Sequence, residues 1–169
     1  DMQLLFMQHA ISKLDENGRA AIITNGSPLF SGGTTSGESQ IRRWMIENDL
    51  IEAIIGLPTD LFYNTGIGIY VFILSKPGVK LSKRKGKIQL INATGDEFWT
   101  SLRKSLGKKR KEISASQINK IVDIYTNFKE NEYCKIFDKE EFLYREYAVY
   151  QPLQRNYGIN DERIENLKN

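Results

Sequence analysis

The sequence predicts an α/β fold, and three observations predict it. Short apolar runs without polar alternation, "RAAIIT" (19–24), "LIEAIIGL" (50–57) and the run from Ile67 to Ser75, read as buried strands. Amphipathic stretches with helical spacing stand before and between them. Gly-, Ser- and Pro-rich connections separate the two kinds of segment.

Taken in order, residues 1–14 carry Leu4, Met7, Ile11 and Leu14 on one helical face, and "DENG" (15–18) ends that helix with Gly18 as a left-handed C-terminal cap. "RAAIIT" is expected to be buried on both faces in a parallel sheet. "NGSPLFSGGTTSG" (25–37) reads as a long polar connection. Glu38 to Asn48 reads as a helix that turns Ile41, Trp44 and Met45 inward. "LIEAIIGL" is the next strand, closed by Pro58, and Ile67–Ser75 the one after. Beyond Pro77 come a basic loop, "KLSKRKGK" (80–87), and a strand, "KIQLIN" (87–92). "DEFWTSLRKSLGKKRKE" (96–112) is a cationic excursion, amphipathic or irregular. Ser114 starts a helix with Ile118, Ile121, Val122 and Tyr125 as its stripe. "CKIFD" (134–138) is a short strand, Lys139–Phe142 a helical turn, and "EYAVYQPLQ" (146–154) an extended piece interrupted by Pro152.

Such a sheet ordinarily has about five or more strands, and Asp1 opens directly on a helix. The chain is therefore expected to be a piece of a larger domain. The expected division is 1–95 for the sandwich half and 96–169 for a basic segment followed by a C-terminal α+β extension.

Composition excludes several classes. At 169 residues, with 40% apolar and 27% charged residues, the chain has the make-up of a globular domain rather than a disordered or fibrous one. No apolar run approaches the ~18 residues of a membrane span, and no signal peptide opens the chain, so a cytoplasmic setting is expected. One cysteine, Cys134, and one histidine, His9, provide neither a disulfide framework nor a zinc cluster, and no metal is expected. His9 reads as structural or solvated, and Cys134 as buried filler rather than a nucleophile. There is no Ser/His/Asp elbow, no Gly-x-x-x-x-Gly-Lys-Ser/Thr loop and no complete Gly-x-Gly-x-x-Gly. No catalytic residue is assigned within this chain.

Charge is segregated. Twelve of the 24 Lys and Arg residues fall between Lys76 and Lys111 against Asp96 and Glu97 alone, so this stretch carries +10 within a chain of net +3. A field of that kind attracts polyanions, although Lys-rich loops also serve solubility. Lys83, Arg84, Lys85, Lys108, Lys109, Arg110 and Lys111 are the candidate contacts to a DNA backbone.

The order of segments "LLFMQHAISKLDENGRAAIITNGSPLFSGG", "IRRWMIENDLIEAIIGLPTDLFYNTGI" and "KGKIQLINA" resembles the modification subunit of type I restriction–modification systems, a family of adenine-N6 DNA methyltransferases. The tail "YREYAVYQPLQRNYGINDERI" is similar to the ending of one branch. The resemblance implies a partial Rossmann-like, S-adenosylmethionine-dependent methyltransferase sandwich. It also implies a methyl transfer from that cofactor to N6 of an adenine flipped out of double-stranded DNA, and specificity and restriction subunits as partners. The family's Gly-rich cofactor loop and its Asn-Pro-Pro-Phe/Tyr motif precede the first helix seen here. Neither occurs in this sequence, whose prolines, Pro28, Pro58, Pro77 and Pro152, are all isolated, so the chain alone is expected to be inactive.

Within the resemblance, Phe62 matches the aromatic that stacks on the extruded adenine. Tyr63 is the rival ring, and Asn64, Thr65 and Gly66 shape the loop around the base. Phe6 matches a position at the adenine end of the cofactor, and Asn25 to Gly33 a loop near the target base. Two other classes stay open: a non-catalytic DNA-binding or subunit-assembly module, and a small-molecule or RNA methyltransferase with a similar half-sheet.

Overall fold

The computed structural model describes residues 2–152, 158 and 160–167. A five-stranded mixed sheet lies between two helical layers. In chain order its elements are α1 (Met2–Lys13), β1 (Arg19–Asn25), α2 (Ser27–Phe30), α3 (Gly37–Glu47), β2 (Ile51–Leu57), β3 (Ile69–Ser75) and β4 (Lys87–Asn92). A separate two-stranded hairpin follows, β5 (Thr100–Leu106) and β6 (Lys109–Glu112), then α4 (Ala115–Asn127), β7 (Cys134–Asp138) and a short α5 (Asp161–Asn166). Leu153 and Gln154, the end of the expected extended tail, lie outside the described residues.

The sheet order is β1-β3-β2-β4-β7. β3 enters between β1 and β2 and runs antiparallel to both, pairing Asn25 with Ile69 on one side and Leu57 with Ile69 on the other. β2 and β4 are parallel, with Gly56 opposite Asn92, and β7 closes the far edge antiparallel to β4. α4 and β7, from the segment expected to be an extension, thus share the sheet and core of the first four strands.

Two apolar clusters fix the layers. On one face Leu4, Met7 and Ile11 of α1 and Met45 of α3 pack on Ile51, Phe72, Leu74 and Ile88. Ile41 and Trp44 join them, as their spacing predicts. On the other face Ile121 and Ile124 of α4 pack with Phe98 and Cys134 on Ile55 and Ile91. Ser114 caps α4 by accepting from Gln117 N, whose side chain answers the Ser114 N–H.

Several expectations are corrected. β1 is antiparallel to its neighbour and sits at the edge of the sheet. Ala20 and Ile22 face the core, whereas Ile23 on the other face is exposed, because α4 covers only the opposite half of the sheet. Gly18 has no left-handed backbone, and the 25–37 connection contains the short helix α2. The buried face of α4 is Ile121 and Ile124, with Tyr125 alongside, while Ile118 and Val122 are half exposed. The cationic excursion is a β-hairpin.

The basic 80–87 loop is held by buried ion pairs. Lys80 donates to Asp49 Oδ1 at 2.5 Å and to the Ile51 carbonyl at 2.7 Å. Arg84 is 3% exposed and donates to Gln89 Oε1 at 2.9 Å and to the Tyr125 carbonyl. It also lies 3.5 Å from Glu52 and 4.4 Å over the rings of Tyr125 and Phe128. Burial opposes the Glu52 charge, but hydrogen bonds from Tyr125 and Arg19, with the Arg19 and Arg84 charges, hold its carboxyl below its usual value. Burial and the Glu52 bond push the Tyr125 phenol up to about 12.

Arg84→Ala should destabilise the fold by about 3 kcal/mol in urea unfolding, because it strips one partner from a buried carboxylate. Because the folded Glu52 pKa lies below the unfolded one, its contribution is complete above the unfolded value of about 4.3 and is lost as pH falls through the folded pKa. The stability gap between wild type and Glu52→Gln should therefore be constant above about pH 5 and narrow below about pH 4; a gap independent of pH would remove Glu52 from the charged network.

Candidate functional site

Because β1 and β2 both run antiparallel to β3, and β4 parallel to β2, the C-terminal ends of three strands meet at one rim of the sheet. Carboxyl ends of strands in open α/β sheets are where ligands bind. Three connections leave this rim: the α2 segment after Asn25, the loop 58–68 after Leu57, and the 93–99 segment after Asn92.

The first is anchored by one side chain. Asn25 Oδ1 accepts from Gln3 Nε2 at 2.9 Å and from Ser27 N at 2.9 Å, while Asn25 N donates to Gln3 Oε1 at 3.2 Å. This ties the start of α1 and the start of α2 to the end of β1. Phe6, one helical turn from Gln3, is 62% exposed. Between β1 and β2 the ring of Tyr70 is wedged against Gly26 and Gly56, where an added Cβ would stand 3.3 and 3.5 Å from it. Sequence reading did not single out Tyr70; the two glycines at strand ends were the available signal.

In the second connection Phe62 and Thr65 form an isolated bridge that closes a two-residue turn over Tyr63 and Asn64. Thr65 Oγ1 accepts from Ile67 N at 3.3 Å, and Gly66 follows in the return to β3. Phe62 is 38% and Tyr63 62% exposed, so both rings stay accessible at the turn. Pro58, at the start of the loop, is fully buried. Asp60 has a left-handed backbone, φ 61°, uncommon for a residue other than glycine. Its carbonyl accepts from Arg110 N at 2.9 Å and Lys111 N at 3.2 Å, and the Tyr63 carbonyl accepts from Lys108 N at 2.8 Å. The loop and the hairpin are therefore stitched together. Lys109 Nζ lies 5.2 Å over the Tyr63 ring and Lys111 Nζ 3.8 Å over Trp99.

The expected DNA contacts thus separate. Lys108 to Lys111 come together at the loop carrying Phe62. Arg84 is internal, with its guanidinium bound inside the protein, and is corrected from that set. Lys83 reaches the end of α4, donating weakly to the Thr126 and Asn127 carbonyls at 3.5 and 3.4 Å, and Lys85 is exposed beside it.

Three of the clefts among the described residues stand out. One, of about 590 Å³, lies between α2, α3 and the 142–145 segment; a second, of about 730 Å³, lies beside α4. The third, of about 740 Å³, is an apolar trough along the α3 face of the sheet that reaches Gly56, Tyr70, Asn92 and Thr94 at the rim. Phe6, Phe62 and Tyr63 line none of them. Among the described residues no group of three or more His, Cys, Asp and Glu could hold a metal ion, and no helix is long and apolar enough to cross a membrane.

Residues 1–162 match the family model described as N-6 DNA Methylase. The chain belongs to the N-6 DNA methylase family. Among its relatives, the type I restriction enzyme MjaVIII methylase subunit of Methanocaldococcus jannaschii is 36% identical over 148 residues, 87% of this chain and 24% of that protein. The MpnII methylase subunit of Mycoplasma pneumoniae is 32% identical over 127 residues, 75% of this chain and 21% of that protein. The fold is similar to that of a type I restriction–modification methyltransferase subunit from Streptococcus thermophilus, with a TM-score of 0.69, 26% identity, and coverage of 83% of this chain and 27% of that one. A modification subunit of a putative type I restriction enzyme from Vibrio vulnificus shares the fold at a TM-score of 0.62 and 18% identity, covering 85% and 29%. The chain spans about a quarter of the length of the relatives it matches. Membership of the N-6 DNA methylase family implies an S-adenosylmethionine-type methyl donor.

Asn25→Ala removes the acceptor that joins α1, β1 and α2. It should cost about 1–2 kcal/mol and speed hydrogen exchange at the Ser27 amide. Unaltered exchange would mean that packing alone holds the three elements at the rim.

Proposed function

We propose that this chain forms the base-receiving part of a type I modification subunit, acting where a methyl group passes to N6 of an adenine in DNA. One observation carries the reading: in an N-6 DNA methylase chain, a bridged turn presents Phe62 and Tyr63 at the rim where three strands end. A base stacked in a duplex cannot reach a protein site and must be extruded, and an exposed ring at such a rim gives it a new stacking partner. Phe62 takes that role, with Tyr63 beside it. Asn64 and Thr65 keep the turn tight, and Gly66 leaves the return to β3 narrow.

The exposed ring of Phe6 fits the adenine end of S-adenosylmethionine and is the residue of this chain we assign to that cofactor. When bound, S-adenosylmethionine supplies an electrophilic methyl group. The adenine amine is a weak nucleophile, so its two N–H groups need acceptors that orient it, a task of positioning and electrostatics. The Asn-Pro-Pro-Phe/Tyr motif that would provide them is absent from these 169 residues. Methyl transfer accordingly needs residues beyond them, and the sheet is one part of a Rossmann-like sandwich. Duplex DNA, a specificity subunit and a restriction subunit are the proposed partners, in the cytoplasm. A DNA-binding or assembly role without catalysis is the second reading; the basic hairpin stitched to the loop favours it, and the presence or absence of transferred methyl groups decides between the two.

In the natural gene product carrying these residues, Phe62→Ala should lower methyl transfer to DNA about ten- to a hundredfold, the loss expected for one base–aromatic stack. The fluorescence gain of 2-aminopurine placed at the target adenine should fall with it, while far-UV circular dichroism stays the same. Unchanged turnover together with unchanged fluorescence would take Phe62 out of the site. Titration calorimetry of the 169-residue chain with S-adenosylmethionine should show no binding heat; a micromolar Kd would place the cofactor site within these residues.

A further inference from the structure

The hairpin of β5 and β6 is the most cationic element of the chain and belongs to neither apolar cluster. Thr100 to Glu112 holds six cations, Arg103, Lys104, Lys108, Lys109, Arg110 and Lys111, against Glu112 alone. Its strands pair only with each other, Thr100 with Glu112 and Leu106 with Lys109. A two-stranded ribbon this polar has no core of its own to hold it in place. What holds it is the loop carrying Phe62, through the three backbone bonds onto the Asp60 and Tyr63 carbonyls.

The cations of β6 are sorted by the strand's two-residue period. Lys109 and Lys111 share one face and lie over the rings of Tyr63 and Trp99. Arg110 belongs to the opposite face, and it and Lys108 at the turn are exposed, as are Arg103 and Lys104 on β5. Gly107 makes the seating possible. Its backbone is left-handed, φ 64°, and an added Cβ would stand 2.5 Å from the Tyr63 carbonyl oxygen. Any other residue there brings both a strained backbone and a collision at the contact between hairpin and loop.

We propose that this hairpin is an arm that grips the phosphate backbone of duplex DNA beside the base received by the Phe62 loop, seated on that loop through Gly107. Lys108 and Arg110 face the phosphates, and the exposed Arg103 and Lys104 of β5 add to the field. Lys109 and Lys111 instead clamp the arm to Tyr63 and Trp99. Gly107 is a positioning residue, acting through the Tyr63 carbonyl on the turn that holds Phe62. The proposal rests on the reading of that loop as the base-receiving one, and it makes binding of the backbone and extrusion of the base mechanically continuous.

The test uses the natural gene product with the subunits it purifies with, and a 30-base-pair duplex. Lys108→Gln combined with Arg110→Gln should flatten the slope of log affinity against log salt by about 1.8, the value for two lost phosphate contacts. Lys13→Gln combined with Lys129→Gln, which removes the same charge elsewhere, should leave the slope as it is. Gly107→Val should reduce the 2-aminopurine signal at saturating DNA at least tenfold. Where Gly107→Val fails to fold, Lys109→Met, which keeps the stem and removes the charge over Tyr63, should reduce the same signal. An unchanged slope in the first pair, an equal change in the control pair, or tighter binding of duplex RNA than of DNA through the same cations would overturn the arm. A full 2-aminopurine signal with the hairpin unseated would overturn the coupling. Absence of any methyl transfer by the wild-type protein would instead sink the functional reading, with the salt slope still judging the arm.

Discussion

The insertion of β3 between β1 and β2, antiparallel to both, is the constraint on which the rest of the structure depends. It makes β1 and β2 parallel to each other without their touching, and brings both of their C-terminal ends beside Ile69. Everything at the rim follows from this. The loop 58–68 must turn back within a few residues to start β3, so its aromatics are held at the sheet end rather than carried away from it. The wedge of Tyr70 between Gly26 and Gly56 is the side-chain expression of the same arrangement, since β3 has only those two backbones as neighbours. A right-handed helical crossover between β2 and its neighbour would have left no such turn.

The charge segregation that draws attention in the sequence divides, in three dimensions, into two different things. In the first group, Lys80 and Arg84 face inward. Lys80 neutralises Asp49 where β2 begins, and Arg84 binds Glu52, Gln89 and the last turn of α4. Burial pulls the Lys80 pKa down and Asp49 pulls it back up, with burial the larger effect. These groups cross-link β2, β4 and α4, and their removal would leave buried charge uncompensated. The second group, on the hairpin, has no such internal partners and retains its field. The same residue type therefore does opposite work within about 25 residues of sequence, and only the acids that happen to lie nearby decide which.

That division also shows what could be read from the sequence. Element identities were legible wherever the apolar period was clean. α1, α3, β2, β4 and β7 lie within a residue or two of their expected bounds, since Leu4, Met7, Ile11 and Met45 repeat as a helix face must. The loop with Phe62 and Tyr63 was legible as a loop beside a strand. Strand direction was not: "RAAIIT" is apolar from Ala20 to Ile23 without alternation, and whether both its faces are covered depends on where α4 packs, almost 100 residues later. The hairpin was hidden because its residues are mostly Ser, Lys and Arg, with Leu102 and Leu106 the only large apolar ones, so no period of two marks a buried face. The face of α4 was read one step off, since Ile118 and Val122 fit the helical repeat as well as Ile124 does and only the neighbouring Phe98 and Cys134 choose between them.

The hairpin and the rim answer each other's deficiency. A basic ribbon without a core has many orientations, and phosphate contacts made from a wandering arm would bring little precision to a base several ångströms away. An exposed aromatic turn, conversely, has rings but no charge with which to hold a polyanion. Stitching the ribbon to the turn through Asp60 and Tyr63 removes both difficulties at once. The left-handed backbone of Asp60 fits this account: strain at a sparsely populated φ persists where the surrounding bonds over-determine it, and here the two amides of Arg110 and Lys111 converge on that residue's carbonyl. On the proposed reading, base contact and backbone contact are then joined through these bonds, so that a shift of the DNA strand on the arm would also be a shift of the base against Phe62.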